Sequence, residues 1–106
     1  MDRPLTDRER AVLDALLAGE FEGAGAMREQ RQAARVVGVC GCGCPSIDFA
    51  VFSGVGMTVL VDANVVGTDD GLFLFAMGDQ LGGIEYVSNS DQMAAELPDP
   101  AQLQIY

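Results

Sequence analysis

Apolar positions follow two different periods along the chain, and the change falls after Arg35. Before it, Val12, Leu13, Leu16 and Leu17 lie three and four residues apart, within one arc of a helical wheel. Thr6-Asp7-Arg8-Glu9 just ahead of them is a capping box: the hydroxyl is placed to accept from the third helical amide, and Glu9 to reach back. With Gly19 as the stop, this pattern predicts a helix over residues 7–18. A second, weaker helix is expected over residues 24–34; Gly23 and Gly25 fray its start and Met27 is its one large apolar anchor.

Beyond Arg35 the pattern becomes extended. Val36 to Cys40 is a short β-branched stretch, and Ile47, Phe49 and Val51 alternate with Asp48, Ala50 and Phe52. The clearest alternation places Met57, Val59, Val61, Ala63 and Val65 on one side of a strand, which makes them its expected buried row. A turn cluster over Gly67 to Gly71 leads to a strand at Leu72–Met77. Gly78-Asp79 then turns the chain into a returning strand, Leu81–Ser88, where Gly82-Gly83 favours a bulge. One or two helical turns, Asp91 to Leu97, follow Ser90 and end at Pro98 and Pro100. The expected fold is a single α+β domain over residues 1–106. An N-terminal helix or helix pair packs on one face of a five-stranded, mostly antiparallel meander sheet. The sheet's second face is only partly polar, because Leu60, Val66 and Phe52 interrupt it. This predicts cover by the tail residues Leu103, Ile105 and Tyr106, or a homodimer contact.

Composition then narrows the functions. The 106 residues contain no histidine, which removes Ser-His and Cys-His nucleophile pairs and imidazole metal ligands. They also contain no lysine, and so no Schiff-base or P-loop lysine. The net charge of −10 is unevenly placed: all six bases are arginines up to Arg35, and nine acids with no base follow. No nucleic-acid partner is expected for such a chain, because phosphate binding depends on basic side chains displacing counterions. An acidic surface suits a cation or a basic protein. The longest uncharged run, Phe49 to Val61, is 13 residues, too short for a membrane-spanning helix. The charged start lacks the apolar core of a signal peptide, and three cysteines within five positions suit a reducing compartment, so a cytoplasmic location is expected.

One set of residues carries a resemblance. The capped helix with Val12-Leu13 and Leu16-Leu17, followed by Phe21-Glu22-Gly23, Arg28 and Gln30, is its first part. Cys42-Gly43-Cys44-Pro45-Ser46, Leu81, Ile84-Glu85-Tyr86 and Leu97-Pro98 complete it. Together they resemble a group of small uncharacterised actinobacterial proteins, with the Cys-Gly-Cys-Pro-Ser segment the most specific part. Arginine in place of lysine, with abundant alanine, glycine and valine, is similar to what a high-GC genome encodes. The resemblance implies a bacterial cytoplasmic origin and one compact domain, and brings no activity or catalytic residue with it.

Four features bear on chemistry. Cys40, Cys42 and Cys44 alternate with glycines, so three thiols are available to zinc or copper(I), or to redox chemistry. A closed zinc site wants a fourth ligand, which without histidine falls to Asp48, a distant carboxylate or a second chain. The plainer reading is structural, with small residues letting a strand end and turn closely and Pro45 enforcing the stop. Asp62-Ala63-Asn64-Val65-Val66-Gly67-Thr68 begins like a calcium loop but fails at Val66 and at Phe73, where ligands are required. Arg28, Arg31 and Arg35 share a helical face and are expected to pair with carboxylates of the acidic half or to lie in water. Asp79 and Glu85 near the glycine pair are the remaining acid/base candidates, and Ser46 and Ser53 lack a base. No catalytic constellation can be assembled. Two classes stay open: a non-catalytic protein-binding or regulatory module, or a cysteine-based metal or thiol-redox protein.

Overall fold

The structure, a computed structural model, describes residues 2–41, 43–50, 56–88 and 95–106. The α+β architecture holds, with two helices packed on one face of an antiparallel sheet. Helix α1, Asp7–Leu17, opens with both bonds of the capping box: the Glu9 amide donates to Thr6 Oγ1 at 3.1 Å and the Thr6 amide to Glu9 Oε1 at 2.8 Å. Helix α2, Ala24–Gln30, starts after Gly23, whose φ of 82° favours glycine. It tightens into a 3-10 turn at Arg31–Ala33, so the expected helix over 24–34 is α-helical only as far as Gln30.

Strands β1 (Arg3–Pro4) and β2 (Arg35–Val36) form a small ribbon that ties the chain's start to the end of the helical segment. The main sheet contains β3 (Gly38–Val39), β4 (Ile47–Asp48), β5 (Met57–Val65), β6 (Gly71–Met77), β7 (Gln80–Val87) and β8 (Leu103–Ile105). Their order is β3-β4-β7-β6-β5-β8, antiparallel throughout. The meander runs through β5, β6 and β7, while the β3–β4 hairpin joins at β7, on the opposite flank from β5. The sheet has a sixth strand beyond the five expected, because the tail's short Leu103–Ile105 stretch pairs with β5. Val51, Phe52, Ser53 and most of the expected helical turn at Asp91 to Leu97 lie outside the described residues.

Val12, Leu13 and Leu16 are fully buried against Leu72, Leu74, Ile84 and the C-terminal half of β5. Burial on this scale contributes roughly 1.5–3 kcal/mol for each large side chain. Along β5 the expected buried row holds for Val61, Ala63 and Val65 and fails for Met57 and Val59, which are 54% and 44% exposed. The cause is a bulge. Val59 pairs with Phe75 and Val61 with Leu74, so Leu60 is an extra residue and the parity reverses across it. A second bulge occurs where the glycine pair predicts one, since Phe75 pairs with Gly83 and Ala76 with Leu81. A Cβ on Gly83 would stand 2.3 Å from the Ile47 carbonyl oxygen, and one on Gly82 2.6 Å from the Phe75 ring. Only glycine lets β4 and that ring approach β7 so closely.

Directly paired residues share a face, so Met57 and Val59 lie with Phe73, Phe75, Met77 and Val87 on the side of the sheet away from the helices. The tail corrects one expectation. It extends the edge beside β5 and reaches only the margin of this second face: Leu103 packs against the core's margin, the Tyr106 hydroxyl accepts from the Asn64 side chain at the face's border, and Ile105 and Tyr106 stay largely exposed. Among the described residues, no helix is long and apolar enough to cross a membrane.

Candidate functional site

The cysteine segment leads from β3 into β4. Gly43, at φ 90°, donates to the Cys40 carbonyl at 3.3 Å and so turns the chain. Cys44 Sγ then donates to Ser46 Oγ at 3.3 Å, and the same oxygen accepts from the Tyr86 amide at 2.8 Å. The buried Ser46 hydroxyl therefore laces the entry of β4 to β7. A cleft of about 490 Å³ separates this segment from the start of α1. Its cationic groups have structural partners: Arg3 forks onto Glu9 at 2.8 and 2.9 Å, and Arg8 donates to the Leu97 carbonyl at 3.1 Å. The Arg3 guanidinium holds the Glu9 carboxyl below the usual carboxylate range, against the opposing effect of burial. Among the described residues no three histidine, cysteine, aspartate or glutamate side chains group as metal ligands; Cys42 lies outside them.

The other candidates are placed as follows. Asp62, Ala63, Asn64 and Val65 form a strand, not a cation-binding loop. Asp79 sits in the β6–β7 turn while Glu85 lies mid-strand opposite Phe73, so the two are not brought together. The arginines differ from expectation in their partners. Arg28 donates to the Leu17 and Gly19 carbonyls at 2.7 and 2.6 Å and thereby closes the C-terminus of α1. Arg31 grips Asp14 with two bonds of 2.5 and 2.7 Å, and Arg35 pairs with Asp2 at 2.5 Å. These partners all belong to the first third of the chain, because α2 and β2 fold back onto α1 and β1 and not onto the acidic strands.

Two arrangements escape sequence reasoning. Gln30, at the end of α2, donates to the Asp79 carbonyl and accepts from the Leu81 amide, both at 2.8 Å, and so clamps the β6–β7 turn from the helix layer. Tyr86 donates its hydroxyl to the buried Asp70 carboxylate. Burial first, then that hydrogen bond and the carboxylate's charge, push the phenol up to about 12. No local signal marks either contact, because each joins residues that meet only once the sheet has formed.

The second face of the sheet remains. Met57, Val59 and Val87 are exposed there, Phe73 and Met77 half-buried, and Asp62 and Glu85 stand among them. No base occurs anywhere on β3 to β8. A shallow groove of about 430 Å³ runs past Asp62, Asn64, Phe73, Val87 and Tyr106. An apolar strip with an acidic surround is chemistry for contact with another surface. No family model, curated protein or solved structure matches the chain, so these residues alone carry the functional reading.

Proposed function

We propose that this is a non-catalytic protein-binding module whose second sheet face docks a basic protein. The observation that carries this reading is the exposure of Met57, Val59 and Val87 beside Asp62 and Glu85 on strands that have no base. A second copy fits the face poorly, since a homodimer there would bring acid against acid on a chain of net charge −10. The alternative reading, a metal or thiol-redox protein built on Cys40, Cys42 and Cys44, makes metal or oxidant the determinant instead of the face. Affinity capture with wild type, Val87→Asp and Cys44→Ser separates them. The module reading expects a stoichiometric partner of high pI that is released by salt, lost with Val87→Asp and kept with Cys44→Ser. Retention by Val87→Asp, or loss on chelation alone, would overturn it.

A further inference from the structure

Among the described residues, the outer edge of β5 is paired over only half its length. Strand β8 pairs with Ala63, Asn64 and Val65, and the Tyr106 amide extends that line to the Asp62 carbonyl. Toward the other end, Gly78 donates to the Gly56 carbonyl, so Gly56 turns its polar groups toward β6. Alternation along an antiparallel strand then aims the backbone N–H and C=O of Met57 and Val59 away from β6. The bulge at Leu60 accounts for the odd spacing between Val59 and the next outward residue, Asp62. Among the described residues no strand pairs with this edge at Met57 and Val59.

A groove of about 390 Å³ lies beside the same edge on the helix side, with Phe21, Met27, Leu60 and Ala76 in its walls and Glu22 also lining it. We infer that this edge is a strand-addition site: an extended segment of a basic partner pairs with the Met57 and Val59 backbone. Its alternate apolar side chains enter the groove. This rests on the module reading and specifies the partner's chemistry. Main-chain bonds to an open edge supply affinity in this mode, and alternate side chains supply selectivity. Charge selects the occupant: Asp62 ends the open stretch, Glu22 lines the groove, and neither β5 nor β6 carries a base. Apolar residues alternating with lysine or arginine therefore fit, and an acidic strand, including a second copy of β5, does not.

The probe is a capped octapeptide of alternating valine and lysine, compared with the same peptide N-methylated at alternate amides so that one edge cannot pair. Amide exchange at Met57 and Val59 in the full chain is expected to slow at least tenfold on adding the first peptide and to be unchanged by the second. Val59→Pro removes an outward N–H while leaving the β6 side of the strand unchanged, so it should weaken binding at least tenfold. Val39→Ser, exposed on the strand at the opposite end of the sheet, should leave peptide affinity within twofold. Equal binding of the methylated peptide would mean that charge alone attracts it, and would overturn the proposal. Protection of Met57 and Val59 without peptide would overturn it too, as would protection that grows with protein concentration. Partner capture that is sensitive to Val87→Asp but not to Val59→Pro would leave the module reading standing and remove strand addition. Insensitivity to both would remove both.

Discussion

Replacing Tyr86 with phenylalanine tests the buried pair directly. The ring is 6% exposed and its hydroxyl donates to Asp70, itself 8% exposed, so the substitution takes a donor from a carboxylate shielded from water. Hydrogen bonds to charged groups contribute about 1.5–3 kcal/mol, which is the expected loss at pH 7. The pH dependence reads the same contact in a second way. The folded-state value of about 12 stands above the unfolded value of about 10, so the folded chain holds the phenolic proton longer. This contribution is whole below pH 10 and vanishes as pH rises toward 12. Its full size is about 2–3 kcal/mol, and about half of it should be gone at pH 11. Urea melts of wild type and Tyr86→Phe at pH 7, 9, 10 and 11 would read both numbers. The gap between the proteins should stay constant to about pH 9.5 and then close. Equal stability at pH 7, or a gap that stays parallel through pH 11, would refute the reasoning. Tyr106→Phe is the control, because that ring is 71% exposed and should change stability by less than about 0.5 kcal/mol.

The glycine pair gives an ordered prediction: Gly83→Ala drives a Cβ into backbone at Ile47 and should cost about 3 kcal/mol, whereas Gly82→Ala meets the side chains of Phe75 and Met77, which yield more readily than backbone, about 1 kcal/mol. Thermal melts check it, at about 4–8 °C for each kcal/mol, and the reverse order would be wrong for this geometry. Glu9→Gln keeps a capping acceptor but loses the charge paired with Arg3, so about 1 kcal/mol should disappear at pH 7. Because the Glu9 carboxyl is held below its unfolded value, its contribution is present above about pH 4.5 and lost as pH falls. The wild type should therefore show the steeper acid limb in denaturant melts. Cys44→Ser should cost about 1 kcal/mol and leave the protein indifferent to chelators; stoichiometric zinc or copper in untreated protein, or a disulfide within residues 40–44, would favour the metal or redox reading instead.

Local rules predicted what local rules determine. The capping box, the buried arc of α1, the Gly67 turn and the Gly82 bulge each depend on residues within a few positions of one another, and each stands where the pattern places it. Alternation alone misplaced Met57 and Val59, because a bulge at Leu60 carries no glycine to announce it and is set by pairing with β6. The tail strand was missed because Leu103–Ile105 is too short to carry a period, and its pairing with β5 comes from a distant part of the chain. The arginines illustrate the same limit in electrostatics: the helical spacing was legible, but the partners Asp14 and Asp2 depend on how the helix layer and the β1–β2 ribbon close. Of the candidate interface, the absence of bases and the position of Asp62 were legible; its apolar residues were not, because Leu60 packs toward the core, Phe52 lies outside the described residues, and Met57 and Val59 were expected to be buried.

The position of β4 beside β7 has a consequence for the order of synthesis and folding. The β3–β4 hairpin is made before β5, β6 and β7, yet among the described residues it joins the sheet through β7, which pairs Ile47 with Ile84 and Asp48 with Gly83. During translation the hairpin must wait, two residues per strand and marginal alone, until the meander behind it has emerged. The slow step of folding should therefore be the docking of an early-made hairpin onto a late-made strand, a long loop closure that residues 71–87 complete. A nascent chain stalled before β7 would leave the hairpin separate from the other strands and Ile47 without its partner.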